Sequence, residues 1–249
     1  MIGTEIAAKL ARMSQADREE AMKLLNVLNK RRAQRKIMTM YPDEGEFRRA
    51  LYPKHIEFMD STAHYREVCF MAANRVGKTV AGASMTTYHL TGRYPPWWKG
   101  ARFSEPVNWW AAGDTAKTTR DIVQHELLGP PGEYGTGMIP GEDIIRTTPK
   151  SGVPDAVDMV YVQHRTAKGE KDGISKIGLK SYDQGRLAFQ GTAQHGIWLD
   201  EECPMDVYLE CLIRTMTTKG LIYLTFTPLK GLTDVALMFL PNGTIPSSS

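Results

Sequence analysis

Val68-Cys69-Phe70-Met71-Ala72-Ala73-Asn74-Arg75-Val76-Gly77-Lys78-Thr79 is the stretch on which the fold turns. Its first five residues are apolar without alternation, the pattern of a strand buried on both faces. A loop follows, and helical patterning then runs from Thr79 to Leu90. Strand, loop ending Gly-Lys-Thr, and helix is the order of a phosphate-binding loop. Backbone N–H groups turn toward an anion, a glycine stands where a Cβ would collide, a lysine reaches the β and γ oxygens, and a hydroxyl serves Mg2+. The helix starting there aims its positive end at the same charge. Ala72 occupies the place where the usual GxxxxGK[ST] pattern opens with glycine. On this segment alone, a helix N-terminus that merely carries Gly-Lys-Thr remains the alternative.

Two further strand ends bear on that choice. Ile197-Trp198-Leu199 leads directly into Asp200-Glu201-Glu202, and three acids closing a buried apolar strand are costly unless a cation or a reaction uses them. Asp200 is placed to hold Mg2+, directly or through water. Glu201 is placed to orient and deprotonate an attacking water, although only adjacency to Asp200 favours it over Glu202. Leu221–Phe226 ends in Thr225-Phe226-Thr227-Pro228, where hydroxyls can bond the γ-phosphate or the acidic pair. The bland reading is β-branched residues before a terminating proline. Ligands of open parallel sheets sit at the carboxyl ends of strands, and all three segments end there.

The rest of the chain supplies the context. Strands are expected at Val107–Ala112, Val157–Gln163, Lys176–Tyr182, Arg186–Gln190 and Gly196–Asp200, and helices over 53–62, Thr115–Leu128 and Met205–Thr217. Strands alternating with helices argue for an α/β fold with a mostly parallel sheet covered on both faces. Ser14 and Asp17 form a capping pattern, and Ala21, Leu24, Leu25 and Leu28 recur at helical spacing. They predict an amphipathic helix over about 15–36 with one face docked. Residues 1–50 then form a helical arm or lid, 51–240 the main domain, and 241–249 a disordered tail. Gly129–Gly141, rich in Gly and Pro, and the Trp97-Trp98 turn are expected to be exposed.

Composition sets the bounds. The chain has 249 residues, 42% hydrophobic and 24% charged, enough for one large domain with an arm and against wholesale disorder. No apolar run nears the roughly eighteen residues of a membrane span. Three cysteines without CxxC spacing favour neither a disulfide framework nor a zinc site. Net charge is only +3, but residues 1–40 hold nine Lys/Arg against four acids. The run from Lys30 to Lys36 suits either DNA phosphates or the last turn of a solvated helix.

These motifs together resemble the ATPase domain of large terminase subunits from tailed double-stranded DNA phages. The resemblance spans about Tyr52 to Gly231. It rests on the deviant Walker A segment Ala72–Thr79, on Lys180-Ser181-Tyr182-Asp183-Gln184-Gly185-Arg186 with Phe189-Gln190-Gly191, on Gly196–Glu202, and on Leu224–Pro228. It implies a P-loop NTPase of the additional-strand, catalytic-glutamate type, with the Leu221–Phe226 strand between the Walker A and Walker B strands. It also implies that Ala73, Asn74, Arg75, Val76, Gly77, Lys78, Thr79 and Val80 embrace ATP. Thr79 and Asp200 would hold Mg2+, Glu201 would be the catalytic glutamate, and Thr225-Phe226-Thr227 the coupling motif. Arg75 matches the Walker A arginine of such motors. Arg186 is the candidate for an arginine given to a neighbouring subunit, with a structural salt bridge as its alternative. His55 stands where relatives place an adenine-reading glutamine; a histidine departs from that pattern, which leaves stacking or a plain core role as alternatives.

The implied partners are double-stranded DNA, the capsid portal, the small terminase subunit and further copies in a ring, acting in the host cytoplasm on a procapsid. Large terminases also carry a nuclease domain. Twenty-two residues follow Thr227 here, so the expectation is ATP hydrolysis without DNA cleavage. A helicase-like DNA-dependent ATPase and a non-hydrolysing adaptor with a vestigial loop are the rival readings.

Overall fold

The computed structural model describes residues 14–33, 36–228, 231 and 233–240. Ser14 opens α1 (Gln15–Ala33), donating to Asp17 Oδ2 at 2.6 Å and accepting the Asp17 N–H at 3.3 Å. Leu24, expected on a docked face, is exposed, as are Met22 and Val27. The stripe therefore finds no cover at those positions within the described chain. The tail 241–249, residues 1–13 of the arm, and the side chains of Leu25, Leu28 and residues 30–33 lie outside the described set, as do residues 34 and 35. Beyond the single turn Lys36–Thr39 the chain enters the body, for Ile37 and Tyr41 belong to its main core. Helix α2 (Pro53–Ser61) begins with proline at its first position, where the missing N–H costs nothing.

Seven strands form one sheet: β1 (Glu67–Met71), β2 (Asn108–Gly113), β3 (Ile144–Pro149), β4 (Val157–Arg165), β5 (Lys171–Ser181), β6 (Gly196–Asp200) and β7 (Leu221–Phe226), in the order β1-β7-β6-β2-β5-β4-β3. The five from β1 to β5 in that order run parallel, and β4 and β3 continue antiparallel. Strand β7 therefore lies between β1 and β6, the place the resemblance implied.

Period-two alternation divides the strands between two cores. Trp109, Ala111, Trp198 and Tyr223 join one cluster with Ala81, Met85 and Leu90 of α3 (Lys78–Thr91). Trp110, Ala112, Leu199 and Leu224 join the other with Val207, Tyr208 and Cys211 of α4 (Met205–Met216). So α3 covers one face and α4 the other. The first contact is tight, because a Cβ on Gly82 would lie 2.5 Å from the Trp198 ring. A short α5 (Asp234–Met238) follows β7, capped by the Thr233 hydroxyl.

Several expectations change. Arg186–Gln190 is not a strand; Arg186–Phe189 forms a 3-10 turn. Its neighbour β5 is already paired with β2 and β4, so no free edge was left for it. Strand β3, unforeseen, pairs with β4 at the sheet's outer edge. Ala116–Leu128 is helical throughout, capped by the Thr115 side chain, with a π segment at Thr119–Gln124. The Gly129–Gly141 loop is exposed only in part: Met138 and Ile139 are fully buried, their N–H groups bonded to Glu126 O and Leu127 O at 2.9 and 2.8 Å. Trp98 is likewise core, its ring 5.3 Å from that of Tyr88. Among the described residues no helix is long and apolar enough to cross a membrane.

Candidate nucleotide site

Strands β1, β2, β5, β6 and β7 all end at one edge of the sheet, and Lys78, Thr79, Asp200, Thr225 and Thr227 meet there. Gly77 takes a left-handed backbone (φ +81°) at the turn into α3, and Arg75 does so two residues earlier (φ +66°). Gly77 is also close-packed, since a Cβ there would meet the His55 ring at 2.9 Å. Lys78, the first residue of α3, folds back over the loop. Its ammonium donates to Ala72 O at 3.0 Å, Ala73 O at 2.8 Å and Thr227 Oγ1 at 2.8 Å. Thr227 in turn donates to Asn74 Oδ1 at 2.7 Å. The lysine and the end of β7 are thus in direct contact.

One residue along α3, the Thr79 hydroxyl reaches Asp200 Oδ1 at 3.2 Å. The same carboxylate oxygen accepts from Thr225 Oγ1 at 2.6 Å, while Thr225 accepts the Trp198 indole N–H at 2.8 Å. Two hydroxyls, one in β7 and one just beyond it, therefore tie the acid- and lysine-bearing tips together: Thr225 holds Asp200 and Thr227 holds Lys78. Phe226 lies between them, fully buried in the core on the α4 side.

The electrostatics follow from burial. Asp200 is 2% exposed, and burial pushes its carboxyl up to about 7, against the Thr225 hydrogen bond that favours the charge. No Lys or Arg forms an ion pair with it among the described residues. A buried carboxylate beside a hydroxyl, short of counter-charge, is a donor pair that suits Mg2+, which takes one or two protein oxygens and completes its shell with phosphate and water. No cluster of three or more His, Cys, Asp or Glu ligands stands among the described residues. Burial also raises the Glu201 carboxyl, with Lys78 opposing and Asp114 adding to the rise. Lys78 is drawn below the ordinary lysine value, again by burial first.

Two clefts border these residues. One, of about 260 Å³, lies between Asp200, Glu201 and Glu202 on one wall and Asp114 and Thr118 on the other, with Thr227 beside them. The second, of about 560 Å³, is apolar and lined by Met40, Phe47, Leu51, Tyr52 and Phe70 together with Arg75. The size and lining of the second are those of a small-molecule pocket.

Glu202 is set apart from Glu201: it accepts a hydrogen bond from Thr233, the residue that caps α5. His55 borders the larger cleft, but both ring nitrogens are taken. Nε2 donates to Val76 O at 2.7 Å, which leaves Nδ1 to accept from the Tyr41 hydroxyl at 2.9 Å. The histidine braces the loop and has no free edge with which to read a base. Arg186 is exposed at the surface, and its Nε lies 3.2 Å from Glu210 Oε2 of α4. It does not line either cleft. Val80 lines the larger cleft with Val76 and Gly77.

The chain matches the family described as "Terminase large subunit, T4likevirus-type, N-terminal" over residues 69–244. It belongs to that family. To the terminase large subunit of Salmonella phage P22 it is 42% identical over 246 residues, a match that covers 93% of this chain and 48% of the P22 protein. It thus spans about half the length of this terminase relative. Among solved structures it is similar to the large terminase ATPase domain of Thermus phage P74-26, with a TM-score of 0.47, 15% identity, and coverage of 70% of this chain and 65% of that one. It is similar also to the HK97 large terminase, with a TM-score of 0.45, 15% identity, and coverage of 79% and 37%.

Sequence reading had missed three participants of this terminase domain. Tyr41 and Asp114 carried no motif. Trp198 looked like ordinary strand filling, yet its N–H orders the Thr225–Asp200 contact. The one available signal was that a tryptophan buried in a strand needs a partner for its N–H.

Proposed function

We propose that this chain hydrolyses ATP with Mg2+ to drive double-stranded phage DNA into a procapsid. Residues 51–240, with 36–50 packed on them, would form the hydrolysing domain. The observation that carries the reading is the convergence of three strand ends: Lys78 on Thr227, Thr79 on Asp200, and Thr225 on the same Asp200 oxygen.

In this reading the loop Ala73–Val80 wraps the phosphates, with the base in the apolar cleft against Tyr52 and Leu51 and the ring of His55 as a wall. Lys78 exchanges its carbonyl partners for phosphate oxygens. Thr79 and Asp200 would hold Mg2+, which when bound neutralises the charge that builds on the β and γ phosphates. Glu201 borders the smaller cleft, where it accepts hydrogen bonds from the attacking water and takes its proton. Arg75, on the loop itself, adds positive charge, and Arg186 is offered at the surface to a neighbouring copy. Placing such donors where charge develops is the dominant source of rate in phosphoryl transfer.

The partners proposed are DNA, the portal, the small subunit and a ring of copies in the host cytoplasm; no strand cleavage is assigned to this chain. The test is phosphate release with and without duplex DNA. Glu201→Gln should bind Mg2+–ADP as wild type does while turnover falls by about 10²-fold or more, the scale of a lost general base. Glu202→Gln should retain turnover within a few-fold. Near wild-type turnover in Glu201→Gln, or collapse in Glu202→Gln alone, would overturn the assignment.

A further inference from the structure

Tyr182 follows β5 at the same sheet edge as the nucleotide residues, with its ring enclosed against Phe189 at 6.4 Å between centroids. Its hydroxyl stands 3.0 Å from Asp200 O, 3.2 Å from Glu201 O and 3.4 Å from Ala112 O. A phenol has one proton to give, so a single buried donor serves three carbonyls at the ends of β2 and β6.

Its place matters because of the residue it touches. Glu201 is one of five non-glycine residues with positive φ among those described, at +65°. An L-residue stays in that region only where its surroundings over-determine it. Two tethers do so here. The Glu201 N–H donates to Thr225 O at 2.9 Å, and its carbonyl accepts from Tyr182. A strand that simply continued past Asp200 would alternate its side chains. The left-handed turn breaks that alternation, so the direction in which the Glu201 side chain leaves the backbone depends on both tethers.

We propose that the Tyr182 hydroxyl is a positioning group that fixes the Glu201 backbone turn and so aims its carboxylate at the attacking water. The inference rests on the reading of Glu201 as the group that acts on that water. The tyrosine is itself held: Lys180 Nζ donates to Ala188 O at 2.5 Å, and Lys150 Nζ to Gln184 Oε1 at 3.3 Å. Both bonds clasp the 182–189 turn from the sheet. Glu201 is therefore steered from two sides, by the β7 backbone and by the turn after β5. The Tyr182 hydroxyl meets only the carbonyls of residues 112, 200 and 201, none of them in the loop Ala73–Val80 that the proposed function sets around the nucleotide.

The test is steady-state phosphate release, with Mg2+–ADP affinity and melting temperature measured on the same samples. Tyr182→Phe keeps the ring and removes the donor. Its kcat should fall roughly 10- to 100-fold, the scale of a small misplacement of a reacting group, while the ADP Kd stays within about twofold. Tyr182→4-aminophenylalanine returns an N–H donor to the same carbonyls and should recover most of the lost kcat. A merely structural hydroxyl would lower stability and ADP affinity together and would show no such split. Unchanged kcat in Tyr182→Phe, failure of that variant to fold, or absence of rescue would each overturn the proposal. Glu201→Gln is the control. If it still turns over, the functional reading fails; if it is dead while Tyr182→Phe is unimpaired, only the positioning role fails.

Discussion

Replacing Thr225 by valine keeps shape and volume and deletes one hydroxyl from the centre of the site. That hydroxyl accepts from Trp198 Nε1 at 2.8 Å and donates to Asp200 at 2.6 Å, and all three residues are 2% exposed or less. An indole N–H left buried without a partner costs about 1–3 kcal/mol, and a lost hydrogen bond to a carboxylate about 1.5–3 kcal/mol. The extra buried methyl returns about 1 kcal/mol. The net expectation is about 3 kcal/mol. For a chain of this size that is a fall of about 6–12 °C in melting temperature. Thermal unfolding followed by tryptophan fluorescence and circular dichroism measures it. Thr225→Ser, which keeps the hydroxyl, is the control and should lose about 1 kcal/mol from the missing methyl. Mg2+–ADP affinity should weaken in the valine variant and hold in the serine one. If valine melts within about 2 °C of wild type while serine melts lower, the hydroxyl bridges nothing and the three-residue relay is refuted.

Two further expectations concern stability. Gly82→Ala should destabilise by about 1–3 kcal/mol through overpacking against Trp198, although the same change in an exposed helix would stabilise by up to about 1 kcal/mol. A raised melting temperature would show that α3 does not approach the sheet so closely. His89 is fully buried, stacked on Trp109 at 5.0 Å, and burial drives its pKa down to about 3. The unfolded chain takes up that proton below about 6.5, so stability should drop as pH falls from 6.5 toward 3. Between pH 6.5 and 4.5 the drop amounts to about 2 kcal/mol. Urea titrations at both pH values, compared with His89→Phe, should show the shallower dependence in the variant; equal slopes would mean that His89 is protonated in the fold.

Much of this molecule was legible in the residues. The Walker A strand, loop and helix were found because three chemical demands sit on adjacent positions, Gly77-Lys78-Thr79. Strands β6 and β7 were found because unbroken apolar runs end abruptly in acids or hydroxyls. What escaped depended on partners remote in sequence. The Arg186–Phe189 segment has strand-like composition, but whether an edge was free for it is a property of the whole sheet. Tyr182 sat inside a quoted motif, yet nothing local says that its hydroxyl ends at residues 200 and 201. That both nitrogens of His55 are occupied could not be read locally either, because the Tyr41 contact comes from the segment assigned to an arm.

Strand β7 has a ladder on each side, β1 along one flank and β6 along the other, and every one of its residues is buried. A strand so clamped cannot slide lengthwise without unzipping two rows of backbone bonds at once. In the proposed motor reading the strand would therefore act as a fixed fulcrum, and a signal begun at Thr225 would leave through Thr227, just past the last paired residue, where the hold is by side chains rather than by a ladder.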